Sequence, residues 1–127
     1  MKERILDKVI RKLREGKIKK LITENSVVCD LGCGEGKFLY SIDYNIKEGV
    51  GIDRNVKPYS AANLTFIKAD LEKKLKLQSG KFDVIVSLAV LEHLNKPENL
   101  VKEAYRILKK NGLLIITTPS KLSKPLL

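Results

Sequence analysis

The sequence predicts an α/β fold: a parallel sheet of about five strands with helices on both faces. Short apolar runs alternate with segments whose apolar residues recur at helical spacing, a pattern typical of strands joined by right-handed crossovers. The run 82–87 is nearly all apolar after Asp83, as expected of a central strand covered on both sides. The first run, 27–31, opens directly into a loop with three glycines at alternate positions, which predicts a ligand site at that end of the sheet.

The predicted elements begin with an amphipathic helix that Gly16 ends or bends. Its apolar residues are separated by charges at helical spacing: Ile5, Leu6, Val9, Ile10 and Leu13. A second helix begins near Gly36, and Pro58 limits any helix in the short connection 54–63. The five predicted strands are 27–31, a run ending at Asp53, 64–69, 82–87 and 113–118.

The last predicted helix has the clearest signals for its ends. Asn95 is the predicted N-terminal cap, and Pro97 suits the first turn. Asn111-Gly112 is predicted to stop the helix in a left-handed conformation, after which the fifth strand runs to Pro119.

Composition indicates a single globular domain, with 127 residues of which 43% are apolar. No apolar run approaches the ~20 residues that a membrane span needs. The N-terminus has no apolar signal-peptide core, so we expect a cytoplasmic protein. Cys29 and Cys33 are predicted to be reduced thiols, Cys29 in the core, and no Cys or His cluster accompanies them to suggest zinc.

The net charge of +10 is concentrated near the N-terminus. Residues 1–20 hold nine basic side chains against three acidic ones. A basic helix of this kind could contact RNA phosphates or an anionic lipid surface, or it could simply be a solvated face. We therefore divide the chain into a basic amphipathic segment, 1–24, and a core, 25–127.

The spacing of the glycine loop separates two cofactor classes. A dinucleotide fingerprint that starts from Gly32 and Gly34 would need a third glycine at position 37, where Lys37 stands. The third glycine is instead Gly36, which gives the pattern D-x-G-x-G-x-G from Asp30 onward. This pattern resembles the first motif of the class I S-adenosylmethionine-dependent methyltransferases.

The resemblance continues in order along the chain. The second strand of the family, with its terminal acid, is similar to residues 49–53, and the third strand is similar to residues 66–71. The fourth-strand motif of the small-molecule branch resembles residues 82–94, and the helix and fifth strand that follow it resemble residues 103–118. The family implies a Rossmann-like sheet of strand order 3-2-1-4-5, with the ligand between strands 1 and 4. It also implies S-adenosyl-L-methionine as cofactor and a small-molecule acceptor.

The resemblance assigns roles to individual residues. Asp30 would attract the ammonium group of the donor, and the ribose hydroxyls would donate to Asp53. Asp70 would accept from the adenine amine, while the backbone N–H of Leu71 reaches a ring nitrogen. At Gly32, Gly34 and Gly36 the backbone would run close to the donor, since no Cβ is in the way. Ser87 and Leu88 would line the methyl end of the donor. Asp83 stands at the opposite end of its strand and is expected to be structural.

His93 is the only histidine and the candidate catalytic base. Some relatives use Glu-His here to hold magnesium, together with a Glu three residues earlier. That position is Ala89, so the metal set is incomplete and no metal is expected. Many members without a metal also carry Leu-Glu-His, so a positioning or helix-capping role for His93 is favoured over base catalysis.

Three functional hypotheses remain open: a small-molecule methyltransferase, an RNA methyltransferase that uses the basic N-terminus, and a cofactor-binding fragment without activity. Family members usually continue into two further strands, whereas this chain stops nine residues after Thr118. We therefore expect a truncated chain, or a second subunit that covers the edge of strand five. Truncation is the favoured explanation, and with the closing segment missing we expect self-association through that edge and poor acceptor turnover.

Overall fold

The computed structural model describes residues 5–118, and Pro119 together with the basic residues Lys2 and Arg4 lies outside them. Six strands form one sheet of order β3-β4-β2-β1-β5-β6. The elements are α1 (Ile5–Leu21), β1 (Val27–Leu31), α2 (Lys37–Ile42), β2 (Glu48–Asp53), β3 (Tyr59–Ala61), β4 (Leu64–Lys68), β5 (Phe82–Leu88), α3 (Pro97–Ile107) and β6 (Leu108–Thr117).

The five predicted strands are present in the predicted order, as β4-β2-β1-β5-β6 with every neighbour parallel. The sequence did not indicate β3, which lies antiparallel on β4 at the edge of the sheet. The connection between β2 and β4 contains no helix, which agrees with the limit that Pro58 was expected to set. Ala62, at φ 52, lies in the turn that brings β3 back onto β4.

Helices cover both faces of the sheet, as predicted. Ile18 of α1 and Leu39 of α2 belong to one buried cluster, and Leu100 and Ala104 of α3 belong to the other. Cys29 is fully buried in the second cluster, and both cysteines are free thiols. The sheet therefore has a central position between two apolar layers, with its strand ends left available for a site.

Gly16 does not end the first helix, because α1 continues to Leu21. A glycine in a helix interior lowers stability by about 1 kcal/mol relative to alanine and does not by itself break the helix. Ile18 is buried just beyond it, and its packing against the sheet favours continuation of the helix.

The predicted stop of the last helix is also wrong. α3 ends at Ile107, and the carbonyl oxygen of Ile107 accepts a hydrogen bond from Lys81 N at 2.8 Å. Leu108 already pairs with Phe82 as the first residue of β6. Pairing with β5 thus competes with the last helical turn and determines where the helix ends.

Asn111 has the left-handed conformation that was predicted, at φ 66, but it lies inside β6. The β5–β6 register shifts between Phe82 and Val84, so the extra residues of β6 form a bulge. At the start of α3, Asn95 is not the cap. Lys96 occupies the cap position, without a side-chain capping bond, and its N–H donates to the Glu72 carboxylate.

Candidate active site at the carboxyl end of the sheet

A cavity of ≈ 260 Å³ opens where the carboxyl ends of β1, β2, β4 and β5 meet. The sheet order reverses between β1 and β5, which is where open α/β sheets bind ligands. The structure brings five of the sequence-predicted site residues to this cavity: Gly32, Asp53, Asp70, Leu71 and His93.

Asp53 holds the glycine loop against the end of β2. Its Oδ2 accepts from Gly34 N at 3.0 Å, and its Oδ1 accepts from Asn55 N at 2.9 Å. An ionised carboxylate offers about four acceptor positions, so both oxygens can still accept from a ligand. The residue is half-buried and therefore combines a fixed orientation with access to the cavity.

The loop after β4 is fixed by a second aspartate. Asp70 Oδ1 accepts from Glu72 N at 2.9 Å, and the Glu72 carboxylate in turn accepts from Lys96 N at the start of α3. Asn99 Nδ2 donates to the carbonyl of Glu72 at 3.2 Å. These bonds hold Asp70, which is exposed, and Leu71, which is buried, against the N-terminus of α3.

Asp30 lies directly below the glycine loop and is only 2% exposed. Its Oδ1 is buried without a hydrogen-bond partner among the described residues. Burial, together with the nearby charge of Asp53, raises the pKa of Asp30 to about 7. A buried acid without a partner is costly, so its presence at a strand end suggests a site that a cationic group completes.

The three loop glycines have different surroundings. A Cβ on Gly32 would come within 2.3 Å of Val90 Cγ2, and a Cβ on Gly36 would come within 2.7 Å of the Phe66 ring. At these two positions the missing side chain makes room for other side chains of the protein. Only Gly34, at φ +55, faces open space, so only there does the loop leave room for a ligand in the way the motif implied.

Ser87 and Leu88 do not line the cavity, contrary to expectation. Ser87 is fully buried, and its Oγ donates to the carbonyl of Leu31 at 3.0 Å, which ties β5 to β1. Leu88 packs against the cluster under α1 and α2. The reason is that β5 continues through Leu88, so the chain enters the cavity one residue later, at Ala89 and Val90.

His93 lies at the rim of the cavity on the short turn Leu91–His93. Its side chain is 76% exposed, with Nε2 at 3.9 Å from Glu92 Oε2. Among residues 5–118, no group of three or more His, Cys, Asp or Glu side chains could hold a metal ion. Because its side chain is exposed at the rim, His93 can reach a molecule bound in the cavity from the solvent side.

Asp83 has a structural role at the opposite end of the sheet, as expected. Its Oδ2 accepts from Val27 N at 2.7 Å and its Oδ1 accepts from Lys109 Nζ at 3.1 Å. The Val27 hydrogen bond is the main reason that the pKa of Asp83 is lowered.

A second cavity, of ≈ 650 Å³, lies on the other side of Asp53, between α2 and the β3–β4 edge. It shares Asp53 and Asn55 with the first cavity but contains neither Asp70 nor Leu71. The 54–63 connection beside it holds β3 rather than a helix. Gly34 lines the larger cavity, whereas Gly32, Asp70, Leu71 and His93 line the smaller one. The smaller cavity is the better candidate, because it also lies at the sheet reversal.

Sequence reasoning missed several residues that line the smaller cavity: Arg54, Asn55, Glu72, Ala89, Val90, Leu94 and Asn95. Most follow a predicted site residue within a few positions, so their nearness was implicit in the strand ends. Ala89 has a left-handed φ of 56, which single-sequence patterns do not signal for alanine.

The profile of a family described as "Methyltransferase domain" matches residues 2–126. The chain belongs to the methyltransferase domain family. Its sheet order, apart from β3, and its helices on both faces agree with the class I S-adenosylmethionine-dependent methyltransferase fold.

Relatives of this methyltransferase domain include enzymes named for quinone synthesis. The chain is 32% identical over 108 residues to a "Ubiquinone biosynthesis O-methyltransferase" of Pelagibacter ubique, covering 80% of this chain and 45% of that protein. It is 34% identical over 79 residues to a "Ubiquinone/menaquinone biosynthesis C-methyltransferase" of Rhizobium johnstonii, covering 62% and 30%. The chain thus spans less than half the length of these relatives.

A solved S-adenosylmethionine-dependent methyltransferase from Mesorhizobium loti has the same fold. Its TM-score is 0.69 at 22% identity, with coverage of 81% of this chain and 51% of that one. No helix in the described part of the chain is both long and apolar enough to cross a membrane.

The residues present fit the donor that methyltransferases of this class use. The partnerless Oδ1 of Asp30 would gain from a nearby ammonium group. Asp53 retains acceptor positions, and Gly34 faces open space where a side chain would otherwise stand.

Proposed function

We propose that the chain binds S-adenosyl-L-methionine at the strand ends and transfers its methyl group to a small-molecule acceptor. The observation that carries the proposal is the grouping of Gly32, Asp53, Asp70 and Leu71 around one cavity, beside Asp30, whose buried Oδ1 has no hydrogen-bond partner among the described residues. The names of the relatives, which include both O- and C-methyltransferases, support a small molecule and leave the acceptor atom open.

Each acid has a separate task in this proposal. When bound, the donor supplies a methyl group on a positively charged sulfonium. Asp30 attracts the ammonium end, Asp53 accepts from the ribose hydroxyls, and Asp70 accepts from the adenine amine. Displacement of a methyl group depends mainly on positioning and on exclusion of water, so these contacts contribute by orienting the donor.

His93 is the candidate base for acceptors that must lose a proton. Its place on the cavity rim and its exposure support this role. A merely positioning histidine would tolerate glutamine, whereas a base would not. We expect His93→Gln to lower kcat with little change in donor affinity, and equal kcat values would contradict the base assignment.

RNA is the second candidate acceptor, favoured by the exposed lysines of α1. Phosphate contacts make affinity depend strongly on salt, so RNA binding that weakens steeply with salt would support it.

The two free cysteines are consistent with a reducing, cytoplasmic location.

Calorimetry with S-adenosylhomocysteine, S-adenosylmethionine and NAD tests the cofactor assignment. We expect the two adenosyl-sulfur ligands to bind and NAD to bind more weakly or not at all; tighter NAD binding would contradict the proposal. A methyl-release assay on this chain and on a longer form then separates an enzyme from a binding domain without activity.

A further inference from the structure

α1 carries an apolar stripe that points away from the rest of the protein. Four of its apolar side chains are exposed by about half or more: Ile5 at 82%, Leu6 at 58%, Val9 at 47% and Leu13 at 65%. Ile18 is the one buried residue described in the helix. At 3.6 residues per turn, Ile18 lies about half a turn around the helix from Val9. The side of α1 that packs on the protein is therefore opposite to the stripe.

Exposed lysines accompany this stripe. Lys8 and Lys12 lie along one flank of the stripe and Lys17 lies on the other. The helix as a whole carries seven basic and two acidic residues over Ile5–Leu21. An apolar stripe with basic flanks is the arrangement of helices that lie in the surface layer of a membrane.

Other occupants of the stripe fit less well. A second copy of α1 would bring two strongly basic helices together, and like charges repel. RNA would engage the lysines but would leave Leu6 and Leu13 in water, and α1 has no aromatic side chain on which bases could stack. An anionic lipid surface satisfies both features, because headgroups pair with lysines while the apolar side chains enter the acyl boundary.

We infer that α1 docks the protein on an anionic lipid surface, with its axis parallel to the membrane plane. Leu6 and Leu13 would insert below the headgroups, while Lys8 and Lys12 contact them. This inference does not depend on the proposed function, since it rests on α1 alone.

Vesicle flotation tests the inference, using the whole chain with vesicles of phosphatidylcholine mixed with phosphatidylglycerol and with phosphatidylcholine alone. The wild-type chain should float with the mixed vesicles only. Leu6→Gln/Leu13→Gln should reduce flotation about tenfold or more, and so should Lys8→Gln/Lys12→Gln, since each lysine near an anionic surface strengthens binding about fivefold.

Matched controls lie elsewhere on the surface. Val101→Gln/Tyr105→Gln changes two exposed residues of α3, and Lys73→Gln/Lys76→Gln removes two exposed lysines outside α1. Both controls should retain wild-type flotation. Thermal unfolding followed by circular dichroism verifies that each variant folds, and the charge pair supplies a second test if the leucine pair does not.

Three results would overturn the inference. The first is absence of flotation with the mixed vesicles, or flotation that the leucine pair leaves unchanged. The second is a wild-type oligomer in solution that Leu6→Gln/Leu13→Gln makes monomeric, which would identify the stripe as an interface between copies. The third is RNA binding that the lysine pair weakens while no vesicle binding occurs. Donor affinity is not a readout here, so failure of the cofactor assignment would leave this test intact.

Discussion

Asp30 links the stability of the fold to its candidate function. Its pKa is raised from 3.8 to about 7 by burial and by the charge of Asp53. Between these two pH values the folded chain binds more protons at Asp30 than the unfolded chain does, so the free energy of unfolding falls as pH rises. Above pH 7, where Asp30 is ionised in both states, the loss of stability caused by its burial is complete. In the proposed function, the same ionisation supplies the negative charge that would attract the ammonium group of the donor.

Replacement of Asp30 should therefore separate stability from binding. Asp30→Asn should remove the loss of stability between about pH 4 and pH 7, which amounts to about 4 kcal/mol at most for three pKa units. Urea unfolding at pH 5 and pH 8 measures this. The same variant should bind S-adenosylhomocysteine more weakly, and wild-type affinity should increase from pH 6 to pH 8.

Asp83 provides the control, since it is an acid with the opposite shift. Its pKa is lowered, chiefly by the hydrogen bond from Val27 N, so its ionised form contributes stability that is lost in acid. Asp83→Asn should lower stability at pH 7 and leave cofactor affinity unchanged. If Asp30→Asn were as unstable at pH 8 as Asp83→Asn, the conclusion that the ionised form of buried Asp30 destabilises the fold would be wrong.

Asp53 is the residue whose loss should most directly weaken donor binding. Asp53→Ala removes hydrogen bonds to a charged acceptor, worth about 1.5–3 kcal/mol, or about 10- to 150-fold in affinity. Because the carboxylate also holds Gly34 N and Asn55 N, Asp53→Asn is the companion variant that keeps its size. Calorimetry measures both, and an unchanged dissociation constant for Asp53→Ala would show that the donor lies elsewhere.

β2 contains two glycines because of the side chains that cover it. A Cβ on Gly51 would lie 2.7 Å from Phe66 Cδ1 and 2.9 Å from Cys33 Sγ, and one on Gly49 would lie 2.6 Å from Leu64 Cδ2. Packing from β4 thus explains two glycines that the sequence suggested only as part of a strand motif. It also shows how β4 and the glycine loop are kept close to the end of β2.

Gly51→Ala should lower the free energy of unfolding by about 1–3 kcal/mol, the usual cost of overpacking a core. Phe66→Leu in the same chain should restore part of it, so the two changes should couple favourably in a double-mutant cycle. Gly16→Ala is the control. Its Cβ would meet nothing within 4 Å, and it should stabilise the chain by up to about 1 kcal/mol. Equal effects at the two glycines would contradict the packing explanation.

The elements differ in how far the sequence could predict them. The buried strands and α2 followed from apolar periodicity, because burial on both faces leaves a strong local pattern. The end of α3 did not, since Asn111-Gly112 is typical both of a helix stop and of a bulge, and only the pairing of Leu108 with Phe82 decides between them. β3 was missed because its three exposed residues have no apolar alternation.

The candidate site was predictable to the extent that strand ends share one edge of the sheet. That rule brought Gly32, Asp53 and Asp70 together from separate parts of the chain. It did not give the residue at which β5 ends. Ser87 was therefore expected at the cavity, although β5 continues through Leu88 and Ser87 donates to the carbonyl of Leu31 within the sheet. A shift of one residue along a strand moves a side chain to the other face, and local sequence does not fix such a shift.

β6 lies at the edge of the described sheet and pairs there only with β5. An edge strand presents unpaired N–H and C=O groups, and Leu113 on it is 41% exposed. We therefore predict that the 127-residue chain self-associates through β6. Sedimentation velocity over a wide range of protein concentration measures this. Leu113→Lys should shift the chain toward monomer, because charge on an edge strand opposes strand addition.

Val101→Lys is the matched control, since Val101 is similarly exposed, at 38%, but lies on α3. It should leave the association unchanged. A form of the protein that extends beyond Leu127 and covers β6 should also be monomeric, and it should transfer methyl groups faster if the added segment positions the acceptor. A monodisperse and fully active 127-residue monomer would contradict both expectations and would mean that the sheet as described suffices for function.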